Sequence, residues 1–157
     1  MTAVRAAEAR DMEALLGLID EVQALHIQHR SEQFKPTEPA EVRDRIEQLL
    51  ADPLVAVWVA EVAAVVRGYL VAIVRTHAGG PFTVARTFLE LDQMSVQSGY
   101  RRQGIARALV TTALSHAQAS GITAVELSSW SFNQDAHRAF AQLGFAPKVV
   151  RFERQSQ

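Results

Sequence analysis

The chain has 157 residues, with 16 basic and 17 acidic side chains and no cysteine. This length suits one domain with one core and is too short for two full domains. The lack of cysteine excludes disulfides, thiolate metal sites and a cysteine nucleophile, and it suits a cytoplasmic protein. A net charge of −1 argues against nucleic-acid binding, which usually requires a strongly basic protein.

Neither a membrane span nor a signal peptide is expected. The longest uncharged apolar run, Leu54 to Ala60, is far shorter than the ~20 residues that a membrane helix needs. The opening MTAVRAAEAR contains no apolar segment of the kind that signal peptides carry.

Hydrophobic periodicity along the chain alternates between helical stripes and strand-like runs. Asp11 is expected to cap the first helix, Pro53 to stop the second, and Gly121 and Gly144 to end the later two. The predicted elements in chain order are strand 3–6, helix 11–25, irregular segment 26–39, helix 38–51, strands 54–60, 65–74 and 85–96, a helix from 104, strand 123–128, helix 133–143 and strand 149–153.

This order begins with antiparallel hairpins and ends with a strand–helix–strand unit. It predicts a single domain over residues 1–157 of the α/β (α+β) class, with a mixed sheet flanked by helices.

The turn after the long strand 85–96 carries the strongest functional signal. The strand ends in Met94-Ser95-Val96, and a polar turn leads into a helix that opens Arg101-Arg102-Gln103-Gly104-Ile105-Ala106-Arg107. Small residues at 104 and 106 leave the backbone amides of the helix start accessible, and the helix dipole favours an anion there. The turn is therefore a candidate pyrophosphate site, and an ordinary strand–helix turn with a glycine is the alternative.

A nicotinamide dinucleotide site is a weaker alternative. Glu126 follows Ala106 by twenty residues, as the ribose-binding acid of a Rossmann unit would. The first glycine of the G-x-G-x-x-G pattern is missing, however, and too little chain follows for the remaining strand–helix units.

Two motifs, in order and at the right distance, resemble the GCN5-related N-acetyltransferase (GNAT) superfamily. The run Arg101 to Ala106 is similar to its acetyl-CoA pyrophosphate motif, here R-x-x-G-x-A. The resemblance spans nearly the whole chain and is weakest from His26 to Glu38. It implies a mixed, mostly antiparallel sheet whose fourth and fifth strands splay to form the cofactor cleft. The downstream match to the family's N-x-x-A…F-Y-x-x-L-G-F block comprises Asn133, Ala136, Ala139-Phe140 and Leu143-Gly144-Phe145.

The resemblance also implies roles for individual residues. Met94 and Val96 would offer backbone groups to the pantetheine arm and the thioester carbonyl of acetyl-CoA. Asn133 would hydrogen-bond the pantetheine, a role that can coexist with capping its helix. The pyrophosphate would be held by Arg101, Arg102, Gln103, Gly104, Ile105, Ala106 and Arg107.

Catalysis requires the acceptor amine to lose a proton, because alkyl ammonium groups have pKa values near ~10. Glu90 and Asp92 are the candidate bases, since they share parity with Met94 and Val96 on the long strand. A solvated strand face is the alternative interpretation of these carboxylates.

The general acid is a departure from the family pattern. Its usual tyrosine falls on Phe140, which has no proton to give. His137, one turn earlier, is a candidate substitute, although an ordinary surface histidine is the more usual interpretation.

The acceptor side is less defined by sequence. His26, His29 and Phe34 are candidate substrate-binding residues, because the family builds part of its acceptor pocket after the first helix. No third ligand supports a metal at His26 and His29, so no metal is expected. Trp130 and Phe132 are expected to pack in the core.

The resemblance therefore implies a cytoplasmic N-acetyltransferase that moves an acetyl group from acetyl-CoA directly to a primary amine of a small molecule or protein. A non-catalytic acyl-CoA-binding module is the alternative, kept open by Phe140. The expected partners are acetyl-CoA and the amine, with no nucleic acid and no membrane. A homodimer is compatible with the resemblance, because many members pair.

Overall fold

Residues 1–156 are described by the structure, a computed structural model. Single-turn 3₁₀ helices at Ala9–Asp11 and Ser98–Tyr100 accompany the longer elements. In chain order these are β1 (Thr2–Ala6), α1 (Met12–His29), α2 (Pro39–Ala51), β2 (Val55–Val62), β3 (Val65–His77), β4 (Arg86–Val96), α3 (Ile105–Ala119), β5 (Val125–Leu127) and α4 (Gln134–Gln142).

The five strands lie side by side in chain order. Three of the four pairings are antiparallel, and β4 pairs with β5 in parallel through the crossover helix α3. The parallel ladder is only three residues long, Leu89–Leu91 against Val125–Leu127. The mixed, mostly antiparallel sheet flanked by helices is thus confirmed.

Two apolar layers join the sheet to its helices. Gly68 allows α3 to lie close to β3, because a Cβ at that position would stand 3.0 Å from Ile105 Cγ2 and 3.0 Å from the Ser95 carbonyl oxygen. No helix in residues 1–156 has the length and apolar character needed to cross a membrane. The layer under α1 and α2 includes Leu15, Ile46, Val59, Tyr69 and Ile73, and the layer under α3 includes Leu70, Leu89, Ile105, Leu109 and Val110.

A bulge at Asp92 changes which way β4 side chains face. Leu91 lies opposite Ala72 and Gln93 lies opposite Val71, so Asp92 has no partner residue on β3. Glu90 lies opposite Ile73, which belongs to the layer under α1 and α2.

Beyond the bulge, Met94 lies opposite Leu70, which belongs to the layer under α3. Glu90 and Met94 therefore face opposite sides of the sheet. The shared parity of Glu90 with Met94 and Val96 therefore does not put them on one side of the sheet, and that expectation is wrong, because one inserted residue reverses the alternation.

One predicted helix boundary and one predicted strand are also wrong. The helix α1 continues to His29, so His26 and His29 lie on a helix and not in an irregular segment. The strand predicted over 149–153 does not form in the described chain, and Val149 and Phe152 are 79% and 90% exposed. A Val-rich alternation becomes a strand only where a neighbouring strand completes its hydrogen bonds.

Asp11 is buried and ties the start of α1 to the sheet. It was expected to cap α1, but its side chain makes no capping bond to that helix. Its two carboxylate oxygens accept hydrogen bonds from Arg5 at 2.8 Å each, and Oδ2 also accepts the Glu8 amide at 2.8 Å. Arg5 in turn donates to Glu61 of β2 at 3.0 Å. The Arg5 guanidinium holds the pKa of the Asp11 carboxyl below its usual range.

Replacing this carboxylate is expected to cost stability in a pH-dependent way. Asp11→Asn should lower the free energy of unfolding at pH 7 by about 2 kcal/mol, because charge-assisted hydrogen bonds to a buried group are lost. The loss should shrink as pH falls below about 4, where the unfolded chain and then Asp11 itself take up a proton. Urea unfolding at pH 7 and pH 3 measures both, with the exposed Asp44→Asn as the control. Equal stability of the two variants at pH 7 would contradict this assignment.

Candidate functional site

A cleft opens where β5 parts from β4. The backbone N–H of Gln97 donates to the Arg67 carbonyl of β3 at 2.8 Å. By strand alternation, the backbone groups of Met94 and Val96 therefore point away from β3 and into the gap that β5 leaves. The Val96 carbonyl accepts a hydrogen bond from Arg101 Nε at 3.2 Å, in agreement with this direction.

Two cavities meet at this cleft. The first, the α1/α2 cavity, has a volume of about 530 Å³ and lies between the sheet and helices α1 and α2. The second, the α3 groove, has a volume of about 1090 Å³ and follows β4 to the start of α3. The residues that line both are Val22, Met94, Asn133, Ala136 and Phe140.

The start of α3 presents free backbone amides to the α3 groove. Gly104 adopts φ +83°, a left-handed conformation that favours glycine, and a Cβ there would enter open space. The first backbone bond into the helix runs from the Ala108 amide to the Gly104 carbonyl at 2.9 Å. The amides of Ile105, Ala106 and Arg107 thus have no acceptor within the helix, which is the arrangement that binds anions.

The charged side chains around this helix start are not equivalent. Arg102 and Arg107 line the α3 groove and form no ion pair with any described residue. Arg101 also lines the groove, but its guanidinium lies 3.5 Å from Glu21. Gln103 is outside the lining, since its side chain turns back to the Gly99 carbonyl at 3.4 Å. The predicted cofactor residues that do line the groove are Met94, Val96, Arg101, Arg102, Gly104, Ile105, Ala106, Arg107 and Asn133.

Glu21 holds the loop before α3 in a way that the sequence did not predict. Its carboxylate on α1 accepts the Ser98 amide at 2.7 Å. The two residues are 77 positions apart in the chain, so no local pattern indicates the contact.

Arg67 supports the same loop from β3. Its guanidinium lies 4.2 Å from the ring centre of Tyr100 and donates to Gln97 Oε1 at 2.8 Å. The sequence shows only that Tyr100 is an aromatic residue in a polar turn, which does not indicate that Arg67 is the cation packed against it.

Asn133 caps α4, as its position predicted. Its Oδ1 accepts the Ala136 amide at 3.3 Å. Because that bond uses the oxygen, the amide nitrogen Nδ2 is the group left to face a ligand at the meeting point of the two cavities.

No tyrosine lines both cavities in the described chain. Phe140 lines both cavities, Tyr100 lines only the α3 groove, and Tyr69 lines only the α1/α2 cavity. Tyr69 is buried, which raises the pKa of its phenol well above the usual range, and its hydroxyl donates to Gln93 at 3.3 Å. His137 is exposed and is not part of either lining.

The two candidate carboxylates occupy different places. Asp92 lines the α1/α2 cavity next to Gln93 and Met94. Glu90 is outside both linings and pairs with Arg75 at 3.3 Å. Arg75 lies 4.0 Å from Asp92, farther than it lies from Glu90. Of the two, only Asp92 lies where it could take a proton from a bound ligand.

An aromatic rim, formed by His26, His29, Phe34, Trp130 and Phe132, borders both cavities. His26 stacks on Phe34 at 4.8 Å between ring centres, and His29 stacks on Phe132 at 4.3 Å. Trp130 is 36% exposed, so its expected place in the core is wrong. Within residues 1–156, no group of three or more His, Asp or Glu side chains is placed to hold a metal ion.

Comparisons with known sequences match the chain to one family. The sequence model of the Acetyltransferase (GNAT) family matches residues 21–145. N-acetyltransferase 8F1 of Rattus norvegicus is 38% identical over 96 residues, which are 60% of this chain and 41% of the rat protein. N-acetyltransferase 8 of the same species is 34% identical over 106 residues, which are 67% of this chain and 46% of that rat protein. The matched region thus spans less than half of each curated relative.

Solved structures share the fold. A mutant of the BH1408 protein from Bacillus halodurans is 22% identical, with a TM-score of 0.94 over 99% of both chains. The aminoglycoside N-acetyltransferase AAC(6')-Iy in complex with CoA is 18% identical, with a TM-score of 0.79 over 99% of this chain and 95% of its own.

His26 is expected to make stability depend on pH. Burial among the rim residues holds the pKa of its imidazole below the ordinary 6.5. As pH falls below about 6.5, His26 in the unfolded chain takes up a proton before buried His26 in the folded protein does. The stabilising contribution of neutral His26 is therefore complete above that pH and is lost below it. His26→Gln should therefore reduce the stability difference between pH 7 and pH 5 in urea unfolding. The exposed His137→Gln serves as the matched control, and an identical pH dependence in wild type and His26→Gln would refute the effect.

Proposed function

The chain belongs to the acetyltransferase (GNAT) family, and from that premise we propose that it transfers an acetyl group from acetyl-CoA directly to a primary amine. One observation carries the proposal. The α3 groove, with its free helix-start amides, and the α1/α2 cavity meet at Met94, Asn133 and Phe140, so two different ligands could bring reacting ends together there.

The residues of the α3 groove fit acetyl-CoA. The free amides of Ile105, Ala106 and Arg107 would bind the pyrophosphate, with Arg102 and Arg107 adding charge. The backbone groups of Met94 and Val96 that face the gap would hold the pantetheine arm and polarise the thioester carbonyl. The neighbour AAC(6')-Iy, solved with CoA, supports this choice of ligand.

The reaction proposed is a direct displacement. The amine nitrogen, entering from the α1/α2 cavity, forms a bond to the thioester carbonyl carbon, and the carbon–sulfur bond breaks to release CoA as thiolate. The ammonium gives up two protons in all. The first passes to Asp92, directly or through water, and frees the lone pair for attack. The second leaves the nitrogen as the carbon–sulfur bond breaks, and it passes through water to the thiolate or to solvent. The sequence has no cysteine, so no cysteine-bound acyl intermediate can form.

Release of CoA needs little acid help. A thiol has a pKa of about 8.5, so its thiolate is a competent leaving group at neutral pH. This point matters because the phenyl ring of Phe140, where the resemblance places a tyrosine acid, has no proton to give.

Phe140 also favours a second candidate function, a non-catalytic acyl-CoA-binding module. The two functions differ in acceptor-dependent thiol release from acetyl-CoA. A thiol reagent sees only released CoA, because the protein has no thiol of its own. CoA binding without thiol release over a broad amine panel would favour the module.

Gly104→Glu is expected to abolish stabilisation by CoA. The glutamate strains a backbone at φ +83° and brings a negative charge to the proposed pyrophosphate site. Wild type should gain about 2.7 kcal/mol at a hundredfold excess of CoA over its dissociation constant, measured by denaturant unfolding. Gly121→Glu is the matched control, since Gly121 has φ +72° and lies at the other end of α3. A Gly104→Glu protein that CoA stabilises like wild type would exclude the groove assignment.

Asp92→Asn should lower kcat/KM at pH 7 by about 10²-fold, because the acceptor ammonium loses its proton acceptor. The deficit should shrink toward pH 10, where the free amine is abundant. Glu90→Gln is the matched control and should have a much smaller effect, since Glu90 lies outside both cavities. A larger loss in Glu90→Gln, or a deficit in Asp92→Asn that stays constant with pH, would contradict the base assignment.

A further inference from the structure

The α1/α2 cavity has the lining of a site for a hydrocarbon body. Its inner wall is built from side chains that are at most 8% exposed: Leu15, Ile46, Leu49, Val57 and Val71. A ligand with apolar groups would gain by leaving water for this wall. Polar side chains also line the cavity, among them Gln23, Gln93, Ser128 and Ser129. At the apolar wall itself, however, a body rich in hydroxyl or ammonium groups would lose its water without gaining hydrogen-bond partners.

The charged groups of the lining favour a single cation. Asp92 lines the cavity two residues before Met94, which lines both cavities. Glu41 and Arg45 lie one turn apart on α2 with opposite charges. His26 lines the same cavity, and burial lowers the pKa of its imidazole. Arg75 contacts Asp92 at 4.0 Å but lies closer to Glu90.

The mouth of the cavity is aromatic and already holds a cation. Phe34 packs edge-on against Trp130, with ring centres 5.4 Å apart. The Arg30 guanidinium lies 5.2 Å from the Trp130 ring centre and is also paired with Glu32 and Glu153. Arg30 thus occupies one face of the Trp130 ring and engages both carboxylates, so this side offers a second ammonium neither that aromatic face nor an unpaired carboxylate.

From these observations we infer that the acceptor is a small amine with one cationic centre and an aliphatic or aromatic body. The inference rests on the proposed acetyl transfer. The amine lies beside Asp92 where the cavities meet, and the body fills the apolar part of the α1/α2 cavity. Polyamines and aminoglycosides are disfavoured, since both carry extra cations, and a lysine on a peptide brings polar backbone groups that the apolar wall does not pair.

Acceptors of matched length provide the test. Thiol release from acetyl-CoA is measured with n-hexylamine, 2-phenylethylamine, 1,6-diaminohexane, an aminoglycoside and a lysine-containing peptide. The two apolar monoamines should show a kcat/KM at least tenfold above that of 1,6-diaminohexane, which differs from hexylamine only by its second ammonium. Preference for the diamine, the aminoglycoside or the peptide would overturn the inference.

Binding separates failure of this inference from failure of the proposed function. If no amine releases thiol, the acetyl transfer itself fails. Thermal stabilisation by hexylamine and by 1,6-diaminohexane, each in the presence of CoA, then still decides the ligand class. Stronger stabilisation by hexylamine than by 1,6-diaminohexane supports the inferred ligand class, and equal or weaker stabilisation by hexylamine overturns it.

Phe34→Ala tests whether the apolar body of the acceptor amine lies in the α1/α2 cavity. It should raise KM for 2-phenylethylamine about tenfold and leave KM for acetyl-CoA unchanged, because Phe34 lines only the α1/α2 cavity. Phe82→Ala is the matched control, since Phe82 is 97% exposed and lies outside both linings. An unchanged KM for the amine, or an equal change in both KM values, would place the body elsewhere.

Discussion

The parting of β4 and β5 is the constraint on which the rest of the site depends. Their parallel ladder lasts only from Leu89 to Leu91, and the bulge at Asp92 follows at once. Had the two strands stayed paired, the backbone groups of Met94 and Val96 would be used within the sheet. Because they part, these groups face a gap in which a ligand can take the place of the missing strand.

The same parting places two chemically different spaces end to end. On one side lies a groove with free amides and unpaired arginines, and on the other an apolar cavity with one carboxylate near the junction. Glu21 holds the loop before α3, because it accepts the Ser98 amide and neutralises Arg101. The charge left for an anion is thereby confined to Arg102 and Arg107, at the start of α3.

Local signals predicted most of the elements, the helix start after Gly104 and the cap at Asn133, because their causes are local. A left-handed glycine at 104 and a side-chain cap at Asn133 depend on residues within one helical turn. The orientation of Glu90 could not be predicted, since strand alternation fails after one inserted residue. The prediction of a strand over 149–153 failed for a related reason. The local pattern is typical of a strand, but no neighbouring strand in the described chain supplies its hydrogen-bonding partners.

The sequence by itself determined the order of the elements up to α4, the resemblance to the acetyltransferase family and the glycine-containing start of α3. It also determined that no cysteine can take part in the chemistry. Only the tertiary structure decided that Asp92 and not Glu90 lines the cavity, and that the aromatic rim joins His26 and Phe34 to Trp130. The physical reason is distance along the chain. A cap or a helix start is set by neighbours in sequence, whereas a bulge register and a cavity wall are set by residues that meet only after folding.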